Sequence, residues 1–150
     1  MDYLKERCKA VVYSIPEHDW NMLIDLIISK EKIFVYGSGR SGLIGQLFSV
    51  RMVQLGLKVY FVGDMTTPII GRNDLTILVS NTGQTMSVVQ TAEIARRIGS
   101  HVVSLTSSAS SRLAMASNNA IILKIKKDEQ DSKLAPLGTI FEDTVLFFFD

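Results

Sequence analysis

The spacing of apolar residues changes period several times along this chain. Two segments within the first 30 residues, "DYLKERCKAVVYSI" and "PEHDWNMLIDLIIS", carry apolar side chains at helical spacing, and the second opens with a proline suited to a first helical turn. Short runs of β-branched and aromatic residues follow. They predict buried strands at 32–37, 58–63, 75–80, 101–106 and 120–125.

Amphipathic segments separate most of these strands. "SGLIGQLFSVRMVQLG" and "TMSVVQTAEIARRIG" end in glycine, as many helices do, and "SSRLAMASN" predicts a shorter helix with a serine N-cap. Residues 63–74 lack helical periodicity, and "KIKKDEQDSKLAPLG" indicates a polar connection before a last helix. Alternating strands and helices predict an α/β fold with a parallel sheet, which binds its ligand at the carboxyl ends of the strands.

Composition narrows the class of partner. The chain of 150 residues is 47% hydrophobic and 21% charged, with a formal net charge of +1 and no stripe of Lys and Arg interleaved with aromatics. Cys8 is the only cysteine, the first residues are charged, and no apolar run approaches the ~20 residues of a bilayer span. We expect one cytoplasmic domain over 1–150, with helices in 1–30 and a core in 32–150, and no disulfide, metal, nucleic-acid partner or membrane partner.

Polar side chains crowd the turn that follows the third predicted strand. "VSNTGQT" (79–85) places Ser80, Asn81, Thr82 and Thr85 around a single glycine. Backbone N–H groups at a helix N-terminus, supplemented by hydroxyls, can hold a phosphate without any lysine. The alternative is that one of these residues caps the next helix, but a cap needs only one such side chain.

A second glycine-containing turn, "GSGRSG" (37–42), follows the first predicted strand. Its GxGxxG spacing, with Asp64 about 20 residues on, raises the alternative of a dinucleotide site. Asp64, however, falls beyond the second strand in a turn, and a dinucleotide leaves the crowded turn at 79–85 unexplained. A sugar phosphate between the two turns uses both, with Gly39, Arg40 and Ser41 as further ligands.

The two turns together resemble the paired loops of the sugar isomerase (SIS) domain family. "IFVYGSGRSG", "VRMVQLG", "VYFVGDMTTP" and "PLGTIFE" are similar, in the same order, to its 6-phospho-3-hexuloisomerase branch. The resemblance implies a three-layer sandwich with a five-stranded parallel sheet in the order 2-1-3-4-5, and a homodimer or homotetramer. It also implies an isomerase that interconverts 3-hexulose 6-phosphate and fructose 6-phosphate without a cofactor.

Two other functions stay open at this point. The substrate could be a different phosphosugar, or the chain could be a non-catalytic sensor that binds a sugar phosphate and signals to a partner. Sensors of this kind normally carry an output domain, and the opening 30 residues show no basic recognition helix. This favours the enzyme.

Isomerisation through an enediolate requires a base, and Glu142 in "TIFE" is the matching carboxylate. The same T-x-x-E spacing fits a capping box with Thr139, so the local sequence alone leaves both roles open. The resemblance favours the base, whose pKa we expect the helix dipole to lower. Arg51 is a second candidate for binding substrate charge, or for a salt bridge at a subunit contact. His18 and His101 are expected to be structural or exposed.

The chain departs from the family pattern in three places. Family members often carry histidine at the position of Gln54, and a longer segment with aromatic and arginine residues in place of "KKDEQDSKLA". They also continue for another helix beyond "TVLFFFD". We therefore expect either a last helix that is cut short or a partner subunit that covers Phe147, Phe148 and Phe149.

Overall fold

A single parallel sheet forms the centre of the protein, in a computed structural model that describes residues 2–150. Its strands are β1 (Ile33–Gly37), β2 (Val59–Phe61), β3 (Leu75–Val79), β4 (His101–Thr106) and β5 (Asn119–Ile122). They lie in the order β2-β1-β3-β4-β5, all parallel. The predicted α/β fold, strand number and strand order are therefore confirmed.

Helices cover both faces of the sheet. They are α1 (Asp2–Ser14), α2 (Glu17–Ser29), α3 (Gly39–Gln54), α4 (Met86–Ile98), α5 (Arg112–Ala116), α6 (Asp131–Leu134) and α7 (Thr139–Phe149). One face of the sheet forms a hydrophobic core with α1, α2, α3 and α7, and the other face packs against α4 and α5. No helix within residues 2–150 is both long enough and apolar enough to cross a membrane.

Two helices differ from the sequence prediction. The helix α6 is a single turn inside the segment predicted to be a polar connection, and it carries no apolar periodicity that could reveal it. The helix α3 begins at Gly39, two residues before the predicted segment. Arg40 and Ser41 consequently lie in its first turn. Residues 63–74 contain no helix, as predicted.

The end of α7 is covered by helices of the same chain. Phe148 is 6% exposed and its ring centroid lies 4.0 Å from that of Trp20, while Phe149 stacks on Phe48 at 3.7 Å. Only Phe147, at 60%, is exposed. A partner subunit is therefore not needed to cover Phe148 and Phe149, contrary to one of the two expectations for this helix.

The carboxyl ends of β1 and β3 lie side by side. Gly37 is the register partner of Val79, so the turns that follow these two strands start at the same edge of the sheet. The chain runs from β1 to β2 on one side and from β3 to β4 on the other. Such a reversal of direction opens a crevice between the two turns, where ligands of open α/β sheets bind.

Candidate functional site

The turn at 80–85, called the second turn below, is held in shape by its own hydrogen bonds. Ser80 Oγ accepts from the N–H of Gly83 at 3.2 Å and lies 3.2 Å from Thr85 Oγ1. Thr82 Oγ1 accepts from the N–H of Gln84 at 3.2 Å, which leaves the proton of this exposed hydroxyl free to donate. Thr85 is the N-cap of α4, yet its side chain makes no capping bond. Capping therefore does not explain the crowding of hydroxyls.

Gly83 fixes the second turn against the neighbouring strand and helix. Its φ of +63° lies in the left-handed region, and a Cβ there would stand 2.2 Å from Ser111 Oγ and 2.9 Å from Thr106 Oγ1. The carbonyl oxygen of Asn81 accepts from Thr106 Oγ1 at 3.0 Å. The second turn is thus built onto the carboxyl end of β4 and the start of α5.

The turn after β1, called the first turn (residues 37–42), leads directly into α3. The helix α3 begins with Gly39, Arg40 and Ser41, so the N–H groups of these residues have no carbonyl partner within the helix. Ser41 is 8% exposed, whereas the Arg40 side chain is 54% exposed. Because α4 also begins at this edge of the sheet, two helices direct their positive ends toward it.

An ion pair between an exposed guanidinium and a buried carboxylate joins the first turn to the start of α7. Arg40 Nε lies 2.8 Å from Glu142 Oε2, and Glu142 is 7% exposed. The approach is not aligned as a hydrogen bond, so Oε2 has no hydrogen-bond partner among residues 2–150. A buried polar atom without a partner is costly, and such atoms are frequent where a ligand binds.

The capping-box interpretation of Glu142 is wrong. The helix α7 begins at Thr139 with Gly138 as its N-cap and has no side-chain capping bond. Thr139 Oγ1 instead donates to the carbonyl oxygen of Pro136 at 2.6 Å. Glu142 lies one turn into the helix and faces Arg40.

The expected direction of the Glu142 pKa is also wrong. Burial of the carboxylate raises the pKa of Glu142 above its ordinary value, Arg40 opposes this rise, and Asp143 adds to it. The helix dipole acts on Glu142 only through its position near the start of α7. Loss of hydration in the folded protein outweighs that local effect.

A cavity of about 520 Å³ opens beside the second turn. One side is formed by Asn81, Thr82 and Ser107, and the other by residues between 125 and 141. At the base, Gly138 has φ +83°, and a Cβ added there would stand 2.8 Å from Asn81 Nδ2. The second turn and the start of α7 are therefore in contact.

Among the sequence-predicted site residues, Asn81 and Thr82 line this cavity, and the lining does not include Gly39, Arg40, Ser41, Ser80, Thr85, Arg51 or Glu142. Arg51 pairs with Asp150 through Arg51 Nη2 at 3.1 Å, and it lies 11 residues beyond Arg40, about 16 Å along α3. Asp64 is exposed in the turn after β2, as expected for a loop aspartate. Within residues 2–150, no group of three or more His, Cys, Asp or Glu side chains is arranged to hold a metal ion.

Neither of the two histidines lines the cavity. The side chain of His18 is 80% exposed and lies 3.2 Å from Asp19, and His101 Nε2 lies 2.8 Å from Asn119 Oδ1 at the start of β4. Ser107 lines the cavity although it was not among the predicted site residues. A hydroxyl directly after the fourth predicted strand was the available signal, because that strand ends at the same edge.

Comparison with known proteins agrees with this geometry. The SIS domain family matches residues 26–140. The chain belongs to the SIS domain family. The 3-hexulose-6-phosphate isomerases of Methanocaldococcus jannaschii and Bacillus subtilis are 43% and 30% identical to it, over 85% and 99% of this chain and 68% and 82% of theirs.

Solved structures of SIS proteins share the fold. A Methanococcus jannaschii protein, whose crystal structure led to the inference of a 3-hexulose-6-phosphate isomerase function, superposes with a TM-score of 0.88 at 36% identity, over 99% of this chain and 84% of its own. The Vibrio vulnificus NanR protein complexed with ManNAc-6P superposes at 0.81 and 21% identity, over 98% of this chain and 56% of its own. Structures of this fold therefore include complexes with sugar phosphates.

Proposed function

We propose that this chain is a phosphosugar isomerase that interconverts 3-hexulose 6-phosphate and fructose 6-phosphate through an enediolate. The observation that carries the proposal is the buried carboxylate of Glu142, with one oxygen lacking a hydrogen-bond partner, beside Arg40 of the first turn. The named relatives at 30% and 43% identity support the choice of substrate.

The phosphate group occupies the two turns in this proposal. Neutral hydroxyls and backbone N–H groups at the positive ends of α3 and α4 can hold a dianion without a lysine, because the dipoles are fixed before the ligand arrives. The proposed binding residues are Gly39, Arg40, Ser41, Ser80, Asn81, Thr82 and Thr85. Arg51 is proposed only for a contact made across a subunit boundary, in a homodimer or homotetramer.

Glu142 acts as the base on the carbon next to the carbonyl. From 3-hexulose 6-phosphate it removes the proton at C2; the C–H electron pair forms the C2–C3 double bond, and the negative charge passes to the oxygen on C3. The proton of the C2 hydroxyl then moves to the oxygen on C3, and the electron pair left on the C2 oxygen forms the C2 carbonyl. The electron pair of the C2–C3 double bond takes the proton back from Glu142 at C3. The guanidinium of Arg40, which lies 2.8 Å from Glu142 Oε2, is proposed to stabilise the enediolate oxygen.

The decisive experiment measures isomerisation and isotope exchange together. Purified protein is assayed against 3-hexulose 6-phosphate and a panel of other ketose and aldose phosphates, with coupled detection of fructose 6-phosphate. Fructose 6-phosphate is also incubated with the protein in D₂O and followed by NMR. We expect turnover of the hexulose phosphate and deuterium at C3 of the recovered fructose 6-phosphate.

Two other results would replace the proposal. Binding of fructose 6-phosphate in calorimetry, with neither turnover nor deuterium incorporation, would identify a sensor. Turnover of a different phosphosugar in the panel would keep the chemistry and reassign the substrate.

A further inference from the structure

One side of the cavity is formed by a segment that contributes little to the hydrophobic core. Residues 127–138, called the wall segment below, face Asn81 and Thr82 across the cavity and include α6. None of the four residues of α6 is buried, and Ala135, at 5% exposure, is the wall-segment residue that joins the core. Apolar burial therefore gives the wall segment only one anchor.

Polar contacts from α1 supply the missing anchor. Asp131 Oδ1 accepts from the Tyr3 hydroxyl at 2.7 Å, and Asp131 Oδ2 accepts from Arg7 Nη2 at 2.9 Å. Arg7 Nε adds a bond to Oδ1 at 3.3 Å, and Arg7 also donates to the carbonyl oxygen of Lys126. Tyr3 and Arg7 of α1 thus both donate to the carboxylate of Asp131 in the wall segment. These three side chains are called the clasp below.

The clasp is less exposed to solvent than an ordinary surface ion pair, so its hydrogen bonds should be stronger. The side chains of Arg7 and Asp131 are only 18% and 21% exposed, and both carboxylate oxygens are used. Asp131 Oδ2 also accepts from the N–H of Asp128 at 3.0 Å, so the carboxylate orders its own loop as well. A planar guanidinium that grips a carboxylate from two nitrogens fixes orientation as well as distance.

The helix that carries the clasp is itself firmly held. Cys8 and Val11 of α1 are 1% and 3% exposed within the core that α7 shares. Burial and the bond to Asp131 raise the pKa of Tyr3 to about 12, so its hydroxyl remains a donor at neutral pH. Burial alone would raise the pKa of Asp131, but the bonds from Tyr3 and Arg7 lower it, so the carboxylate remains ionised.

We propose that Tyr3 and Arg7 are positioning residues that hold the wall segment, through Asp131, against the second turn and so set how tightly the sugar phosphate is bound. The proposal rests on the proposed function for the identity of the ligand. Neither Tyr3 nor Arg7 lines the cavity, so any effect of changing them must pass through the wall segment. Because Glu142 and Arg40 lie outside the wall segment, the clasp should affect binding more than chemistry.

The test compares the KM and kcat of four variants with those of the parent protein. Arg7→Ala should raise the KM for 3-hexulose 6-phosphate about 5- to 20-fold and leave kcat within about threefold, because charge-assisted bonds are lost. Arg7→Lys keeps the positive charge but offers one donor nitrogen in place of two, so it should recover part of the KM. Tyr3→Phe should raise KM about two- to fourfold. Tyr13→Phe is the matched control, since Tyr13 lies on the same helix at 79% exposure and its variant should match the parent.

Hydrogen exchange provides a readout that does not depend on the substrate. Arg7→Ala and Tyr3→Phe should speed amide exchange in residues 127–138, while exchange in 75–85 stays at the parental rate. Parental KM and parental exchange in both variants would overturn the clasp proposal while leaving the isomerase proposal intact. A parent protein without turnover or sugar-phosphate binding, together with faster exchange in the variants, would instead overturn the isomerase and retain the clasp.

Discussion

The second turn and the start of α7 contact each other at one edge of the sheet, yet they are built in opposite ways. The second turn follows β3, whose five residues are all buried, and its hydroxyls are tied to one another and to its own backbone. The start of α7 carries a charged carboxylate whose Oε2 has no hydrogen-bond partner within residues 2–150. The hydroxyls of the second turn have partners within the turn before any ligand binds, whereas Glu142 Oε2 has a charged neighbour but no hydrogen bond.

This difference corresponds to two tasks in the proposed reaction. A phosphate needs donors that are already in place, and neutral groups can be fixed cheaply because they satisfy each other in the empty site. Proton transfer needs a group whose pKa is close enough to the working pH for it to accept and release a proton. Burial moves the pKa of Glu142 in that direction by raising it. Variants of the two regions should therefore separate binding from turnover.

Glu142→Gln should have the largest effect. The amide cannot accept a proton, so we expect kcat to fall by about 10²–10⁴ while the dissociation constant for fructose 6-phosphate stays near the parental value. Rapid-mix assays and calorimetry measure the two quantities. Asp143→Asn, one residue along the same helix, is the matched control and should keep kcat within a few-fold.

The same variant should not lose stability. Because the folded protein raises the pKa of Glu142, it binds the proton more tightly than the unfolded chain, and stability falls as pH rises from 4.5 through the raised value. At neutral pH the buried, ionised side chain of Glu142 therefore lowers the stability of the folded protein, and glutamine removes this destabilisation. A Gln variant that isomerises at the parental rate would end the role of Glu142 as base.

A pair of glycine substitutions compares the rigidity of the two regions. Gly83→Ala should lower the free energy of unfolding by about 2–4 kcal/mol. The positive φ is strained for alanine, and the added Cβ overlaps the side chains of Ser111 and Thr106. Gly138→Ala should cost only about 1–2 kcal/mol, since its Cβ meets the far end of the Asn81 side chain, which can rotate away. Urea denaturation of both proteins measures this order, and equal losses would contradict it.

Thr82→Ala tests the second turn as a binding element. Losing one neutral donor to a phosphate should cost about 1.5–3 kcal/mol, which raises the dissociation constant for fructose 6-phosphate about tenfold or more, with kcat nearly unchanged. Thr91→Ala is the matched control, because the Thr91 hydroxyl bonds to Ser87 O within α4. Parental affinity of the Thr82 variant in calorimetry would place the phosphate elsewhere.

The sequence predicted what depends on local pattern. Runs of β-branched residues predicted the buried strands. The crowding of polar side chains at Ser80, Asn81, Thr82 and Thr85 predicted a binding turn after β3. The contact of Arg40 with Glu142 joins residues far apart in the chain, so no local pattern encodes it. The raised pKa of Glu142 has the same origin, because it depends on the burial that folding imposes. The helix α6 buries no residue and so leaves no apolar signal.

The smallest expected effect is a shift in the acidic limb of the kcat profile of Arg40→Gln, measured at saturating substrate and normalised to its plateau, because loss of the proposed contact with the enediolate oxygen lowers the plateau itself. Glu142 must be ionised to accept a proton, so kcat declines as pH falls through its pKa, which lies above 4.5. Arg40 lowers that pKa, and its loss should move the limb to higher pH; Asp143 raises the pKa, so Asp143→Asn should move the limb the opposite way. The phosphate of the substrate also titrates, near pH ~6, but it does so equally for all three proteins, so only the differences between profiles count. Limbs that coincide would mean that the rate does not report the ionisation of Glu142, and the ion pair with Arg40 would then serve binding alone.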